Sequence, residues 1–334
     1  MTGGLLVVGD VVTDVVARHG SALVHGTDTA ARIRTRAGGA GANVCCWAVR
    51  SGCRDVRLVA RVGSDSADWH QDLLRRAGVR TLLAVDDDAP TGTVVALVDP
   101  SAERTFLTDS GAVLRLSPDD WSPSMLDGIA HLHLSGYLLF AATSRATALL
   151  ALREARRRRV PVSIDPASAG FLAELGVDRF LALTEGADLL LPNADEARLL
   201  TGLPEPADAA VKLSLLVRQV AVTLGEDGAL LATAGAVTAR VPAGPVPAAV
   251  DSTGAGDAFT GGFLAARLAG GDDATAMAAG CRAGAEAVMT VGGRPPLPAF
   301  ARYEEEVAPA GSADAVVRAD DPHHPAWTGL RHDG

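Results

Sequence analysis

The sequence predicts an α/β fold: a mostly parallel sheet with helices on both faces, and a small β-sheet lid beside it. Short apolar runs (LLVV, VRLVA, HLHLSG, VPVSID, LLLPN, VAVTLG) alternate with helical stretches, and strands alternating with helices build parallel sheets. Two segments, about 15–36 and 92–107, instead mix polar and apolar residues, as in IRTR and GTVVALVDPSAERTFL. That pattern suits a half-exposed antiparallel sheet, read here as a lid. The 334 residues, 48% of them hydrophobic, suffice for one large core with an appendage.

Leu5 to Val8 form a buried first strand ending at Gly9. Asp10 and Asp14 follow. Either could be a turn residue, but an ionised Asp14 can also accept hydrogen bonds from two adjacent hydroxyls of a polyol or ribose. After the first lid segment, Gly38, Gly39, Ala40, Gly41, Ala42 and Asn43 open a helix. Glycines allow close approach of a ligand to the backbone, and the Asn43 amide can donate to and accept from a hydroxylated substrate. A dinucleotide fingerprint needs its glycine loop directly after the first strand, whereas this loop follows the lid segment.

A strand at VRLVA, a helix near Ser66 to Ala77 and the second lid segment come next, then HLHLSG, a helix near Thr143 to Arg158, and VPVSID. His131 and His133 alternate with leucines and read as packed or hydrogen-bonded histidines. Asp165 at its strand end could orient a metal or phosphate, or cap a turn. In LPNADE, Asn193 and Glu196 stand at i and i+3, on one helix face. They could serve Mg²⁺, which binds oxygen and keeps several waters, or form a helix capping box. The turn after VAVT could set Thr223, Gly225 and Gly228 against a nucleotide, or be a hairpin whose glycines supply positive φ.

The most informative stretch runs from Val250 to Gly271, VDSTGAGDAFTGGFLAARLAGG. Backbone N–H groups of Gly254, Ala255 and Gly256 at a helix start would face a bound anion, with the helix dipole favouring negative charge. Asp257 would stand beside that anion, where a carboxylate is useful if it takes a proton from an attacking hydroxyl. Capping of an ordinary helix by Ser252 or Thr253 is the competing reading. Past Pro298 the apolar rhythm weakens, and 301–334 reads as a surface extension. Its His323, His324 and His332 read as solvated rather than metal-binding.

A net charge of −10 argues against nucleic-acid and anionic-membrane surfaces. Lys212 is the only lysine and is followed by Leu213, so no Walker A loop exists. Cys45, Cys46, Cys53 and Cys281 lack metal-ligand or disulfide spacing and are expected to be buried, reduced thiols. The first residues carry no basic leader and no apolar run suggests a membrane span, which points to a cytoplasmic protein.

Together GGAGAN, PNADE and DSTGAGDAF, in that order, resemble the ribokinase-like (PfkB) family of carbohydrate and nucleoside kinases, over roughly Leu5 to Pro298. The resemblance implies a three-layer α/β/α core over residues 1–300, a lid that often makes a homodimer, and ATP-dependent phosphoryl transfer to a sugar or nucleoside hydroxyl. Carried over, Asp257 resembles the catalytic base and Gly254 to Gly256 the anion hole. Asn193 and Glu196 resemble the Mg²⁺-phosphate motif, and Asp14, Gly39 and Asn43 sugar contacts. A monovalent cation such as K⁺ would lie around Asp251, Thr253 and Gly293. The chain departs from ribokinases at Ala40, where they usually carry lysine, and at Gly136 and Tyr137, near which they carry an acid. Its DPASAG segment is similar to the Asp-Pro-Val-Ser of pseudouridine kinases. A sugar kinase is the first expectation and a nucleoside kinase the alternative. A non-catalytic sugar sensor and a dinucleotide oxidoreductase rank below them.

Overall fold

The computed structural model of the protein describes residues 3–100 and 104–297. The chain starts at the middle of its main sheet with β1 (Gly4–Val8), then leaves for β2 (Val12–His19) and β3 (Ala31–Gly38) before returning through α1 (Ala40–Arg50). Next come β4 (Val56–Gly63), α2 (Ala67–Arg76) and β5 (Arg80–Asp86), a second excursion through β6 (Gly92–Val98) and β7 (Arg104–Asp109), and the return strand β8 (Ile129–Ser135). Beyond it lie α3 (Ala142–Arg157), β9 (Val162–Asp165), α4 (Ala169–Leu175), α5 (Val177–Leu183), β10 (Leu189–Leu190), α6 (Ala194–Thr201) and α7 (Pro206–Leu213). A closing meander, β11 (Gln219–Thr223), β12 (Ala229–Thr233) and β13 (Ala236–Val241), precedes α8 (Ala255–Leu268) and α9 (Asp273–Ala287).

The main sheet has nine strands in the order β13-β12-β11-β10-β9-β8-β1-β4-β5. All pairings from β11 to β5 are parallel, and only β12 and β13 pair antiparallel. Period-2 alternation in β1 sorts its side chains into two cores. Leu6 and Val8 pack with residues of α3 to α7, and Leu5 and Val7 with residues of α1, α2, α8 and α9. Those two helical layers and the sheet between them are the expected α/β/α sandwich. The sequence direction reverses at β1, with β4 on one side and β8 on the other, and ligands of open α/β sheets bind outside the carboxyl ends of the strands at such a switch point.

The lid is a four-stranded sheet, β3-β2-β6-β7. It is mixed rather than antiparallel, because β2 and β6 pair in parallel. The reason is connectivity: β6 arrives from the main sheet after β5, so it enters the lid at the same end as β2, with Val12 opposite Gly92. The pairing reaches Val12 and Asp109, slightly beyond the 15–36 and 92–107 read from the sequence. Val12 also faces Gly38, and Thr93 faces Asp109, so all four strands meet the core along one row.

Cys45, Cys46 and Cys281 are buried as expected, whereas Cys53 is only half-buried. His131 and His133 both hydrogen-bond Ser163 Oγ, at 2.8 and 2.9 Å, in the packed role read for them. A compact unit runs from Met1 to Pro295. The extension 301–334, with His323, His324 and His332, lies outside the described residues. Among the described residues no helix is long and apolar enough to cross a membrane.

Candidate active site

Helices α1, α8 and α9 pack closely because small residues line their contacts. A side chain at Gly261 would strike the α1 backbone at Val44 O, 2.7 Å away, and one at Gly262 would meet Ala279 O of α9 at 2.8 Å. This packing sets the first turn of α8 against the first turn of α1. Asn43 Nδ2, from α1, donates to Asp257 Oδ2, from α8, at 2.8 Å. Asn43 Oδ1 is buried and has no hydrogen-bond partner among the described residues.

The start of α8 is not capped by Ser252 or Thr253. Its N-cap is Gly254 in the left-handed region (φ 73°), with no side-chain cap. A side chain there would be strained, and its Cβ would lie 2.5 Å from Gly293 Cα. An added Cβ at Gly256 meets nothing within 4 Å. An uncapped helix start with open space beside it is the arrangement that receives an anion. The turn is braced from behind: Thr253 N and Gly292 N donate to the two oxygens of Asp251, at 2.8 and 3.0 Å, and Trp47 Nε1 donates to Gly293 O at 2.9 Å.

These groups border a cavity of about 1110 Å³ between the main sheet and the lid. Of the residues singled out in the sequence, it gathers Asp14, Gly39, Asn43, Asp165, Asn193, Glu196, Asp251, Thr253, Gly254 and Asp257. Ala255, Gly256 and Gly293 adjoin it through Gly254 without lining it. Thr223, Gly225 and Gly228 do not line it. Gly225 (φ 61°) and Gly228 (φ 90°) form the tight β11–β12 connection, closed by Leu224 N donating to Gly228 O at 2.8 Å, so the hairpin reading accounts for both. Thr223 forms a parallel bridge with Asn193 beside the cavity edge.

The glycines of GGAG answer first to the chain itself. Gly39 has φ 98°, and a Cβ there would lie 2.5 Å from Asp10 O. Gly41 approaches Gly9 so closely that a Cβ would lie 2.8 Å from Gly9 Cα. Asp10 explains this proximity: its carboxylate accepts from Ala40 N (2.7 Å), Gly41 N (3.1 Å) and Ser135 Oγ (2.7 Å), capping α1 from the end of β1.

Both readings of Asn193 and Glu196 meet in one structure. The capping box forms, with Glu196 N donating to Asn193 Oδ1 and Asn193 N donating to Glu196 Oε2, each at 2.9 Å. Asp165 likewise takes Ala167 N at 2.7 Å, a turn bond. Yet both carboxyls border the cavity, and burial together with nearby acids raises Asp165 to about 6 and Glu196 to about 8. Burial, opposed by the Asn43 hydrogen bond and reinforced by Asp165, Asp10 and Asp14, holds Asp257 well above the usual carboxylate range. Burial also raises Asp14 to about 7, against the pull of Arg294. Neighbouring buried acids, as where Asp165 raises Glu196, are what a bound cation would relieve. Among the described residues no three His, Cys, Asp or Glu side chains converge as a self-sufficient metal cage. Asp165 and Glu196 therefore fit Mg²⁺ shared with a substrate phosphate, the usual manner of holding this ion.

Residues 3–299 match the pfkB family carbohydrate kinase profile. The chain belongs to the PfkB family. It is 32% identical over 276 residues to the 2-dehydro-3-deoxygluconokinase of Thermoproteus tenax, covering 80% of this chain and 84% of that one. It is 32% identical over 283 residues to a fructokinase of Klebsiella pneumoniae, covering 81% and 86%. Among solved structures, a ribokinase II homologue of E. coli in complex with ATP and Mg²⁺ superposes with a TM-score of 0.77 at 25% identity, over 91% of this chain and 99% of that one. The protein is thus a phosphotransferase with an alcohol acceptor, of a family of ATP-dependent kinases, built on the ribokinase-like fold.

Sequence reasoning passed over three parts of the site. Asp10 was weighed only as a turn residue, and nothing in its position two residues after an apolar strand ties it to a glycine loop 28 residues further on. Tyr137 and Phe171 meet edge to face across the cavity wall at 5.8 Å, with Phe140 stacked on Phe171 at 5.0 Å. Arg294, discussed below, could have been noticed as a charged residue set among small ones in VGGRPP.

Proposed function

We propose that the protein transfers the γ-phosphoryl group of ATP to a hydroxyl of a sugar or sugar derivative, with Asp257 as general base. The observation that carries this reading is the Asn43–Asp257 pair beside the uncapped start of α8. It puts a proton acceptor next to an anion cradle. Asp257 takes the proton of the attacking hydroxyl, and its burial makes it a stronger base than a free carboxylate. Asn43 holds that carboxylate in place. The backbone N–H groups of Gly254, Ala255 and Gly256 receive the charge on the transferring phosphoryl. Mg²⁺, when bound through Asp165, Glu196 and the hydration near Asn193, supplies charge neutralisation to the phosphates. Asp14 and Gly39 orient the acceptor's other hydroxyls. Thr223, Gly225 and Gly228 lie beyond Asn193, where they serve nucleotide contact only if ATP extends past the cavity edge. A monovalent ion such as K⁺ near Asp251, Thr253 and Gly293 would brace the same turn that Asp251 already ties together.

A second acceptor class, nucleosides, is favoured by one observation. Tyr137 and Phe171 give the cavity an aromatic wall against which a base could pack. The lid's outer face exposes Ile33 and Leu107, which supports a homodimer formed through the lid. ADP release measured over D-ribose, D-fructose, 2-dehydro-3-deoxy-D-gluconate, adenosine and pseudouridine, with and without K⁺, tests the reading. Acceptor-dependent ADP release is expected. Tight acceptor binding without turnover would turn the reading into that of a sensor.

A further inference from the structure

Arg294 enters the protein interior just behind the anion cradle. Among the described residues its buried Nε and Nη1 have no hydrogen-bond partner, and Nη2 donates to Gly38 O, at 2.7 Å. A guanidinium carries five donors in a rigid fork, and burying it half-satisfied is costly. Such a group persists where its charge is used. Gly38 is the last residue of β3, at the row where the lid meets the core. The other side of Gly38 lies against Asp14, since a side chain there would collide with the Asp14 carboxylate. One glycine therefore separates the buried cation from the cavity acid.

We propose that Arg294 is a positioning residue of the acceptor site, whose buried charge favours the anionic, hydrogen-bond-accepting form of Asp14 against burial and whose bond to Gly38 holds the end of β3 beside it. This rests on the reading of Asp14 as an acceptor contact. An ionised carboxylate accepts from two neighbouring hydroxyls, while a protonated one has spent one oxygen on its own O–H. The groups that face Asp14 are Arg294 from the segment after α9, Asp10 from the end of β1, Asp251 ahead of α8, and Arg36 opposite it on β3. His70 of α2 feels Arg294 as well, and burial keeps it neutral. Arg294 favours the charged form of Asp14, and both acids oppose it.

The test is a double-mutant cycle on the full chain, without substrate: wild type, D14N, R294M and D14N/R294M, each melted at pH 5.5 and pH 8.5. Asp14 has a folded pKa near 7, above its ordinary 3.8. Its contribution is therefore present at low pH and lost as pH rises through that window. Removing Arg294 widens the window upward. R294M is expected to lose at least about 3 °C more than wild type between the two pH values, and the excess is expected to vanish in the D14N background. An equal pH response in R294M and wild type, or an excess that survives D14N, overturns the proposal. R294Q, which can still donate to Gly38 O but carries no charge, serves the same comparison if R294M does not fold. Acceptor KM measured in parallel with D-ribose and D-fructose separates the two levels. If D14N leaves KM unchanged, the acceptor reading of Asp14 fails, while the melting cycle still decides whether Arg294 governs its charge.

Discussion

Asp257→Asn changes one atom at the centre of the site and keeps its shape. The new amide oxygen can still accept from Asn43 Nδ2, now at 2.8 Å from the carboxylate, so the α1–α8 contact should survive. What is lost is the proton acceptor. General-base catalysis is worth about 10²–10⁴ in rate, or ~3–5 kcal/mol of barrier, and turnover should fall by that factor while nucleotide binding stays within a few-fold. Stability should move the other way. Burial and neighbouring acids raise the folded pKa of Asp257 above 3.8, so the wild type loses stability as pH rises from about 4 toward that folded value, and the amide does not. The assay is coupled ADP release at saturating MgATP with the best acceptor, beside nucleotide titration and melting at pH 5 and pH 8. Turnover within roughly tenfold of wild type would refute the assignment of the base. A melting temperature lower at pH 8 than wild type would refute the account of its environment.

Glu196→Gln should keep the capping box, because glutamine serves as well at that position. It should raise the melting temperature at pH 8 relative to pH 5, since the acid it removes is held at about 8 by burial and by Asp165, and it should raise the KM for MgATP. Gly254→Ala forces a residue at φ 73° against Gly293 Cα and should destabilise by at least about 2 kcal/mol in thermal melts. Gly256→Ala, with open space around its new methyl, should melt at or slightly above wild type and show its effect in nucleotide KM alone. Ile33→Glu or Leu107→Glu, on the lid's outer face, should shift a lid-mediated dimer to monomer in sedimentation velocity, with Gly256-type changes leaving it intact.

The layers and the lid were legible because hydrophobic period reports them directly: four-residue apolar strands, helical stretches between them, and alternation in the excursions. The parallel β2–β6 pairing was not, because local alternation is the same for either strand direction and only the path of the chain decides it. The site was legible where a backbone requirement and a side chain coincide, as at Gly254 and Asp257. It was not legible where a residue works through distant partners. Asp10 reaches α1 and Ser135, thirty and more positions away, and Arg294 reaches Gly38 from the far end of the chain. At Asn193 and Glu196 the spacing could not separate capping from metal binding, because the same geometry serves both.

Gly38, Val12 and Gly92 stand in one row at the base of the lid, and distance from that row sets how far each side chain would travel if the lid turned about it. Asp14 lies two residues out, about 7 Å, and Phe106, paired with Ala96, four residues out, about 13 Å, while the His19 end lies seven residues out, about 23 Å. A small rotation would therefore leave Asp14 almost where it began and carry the far end, with Arg18, Arg32 and Val98, through the largest arc. On the proposed role of Asp14, an acceptor's hydroxyls would be met early in such a swing and Phe106 late, so a molecule with the wrong hydroxyls would be released before the lid had travelled far.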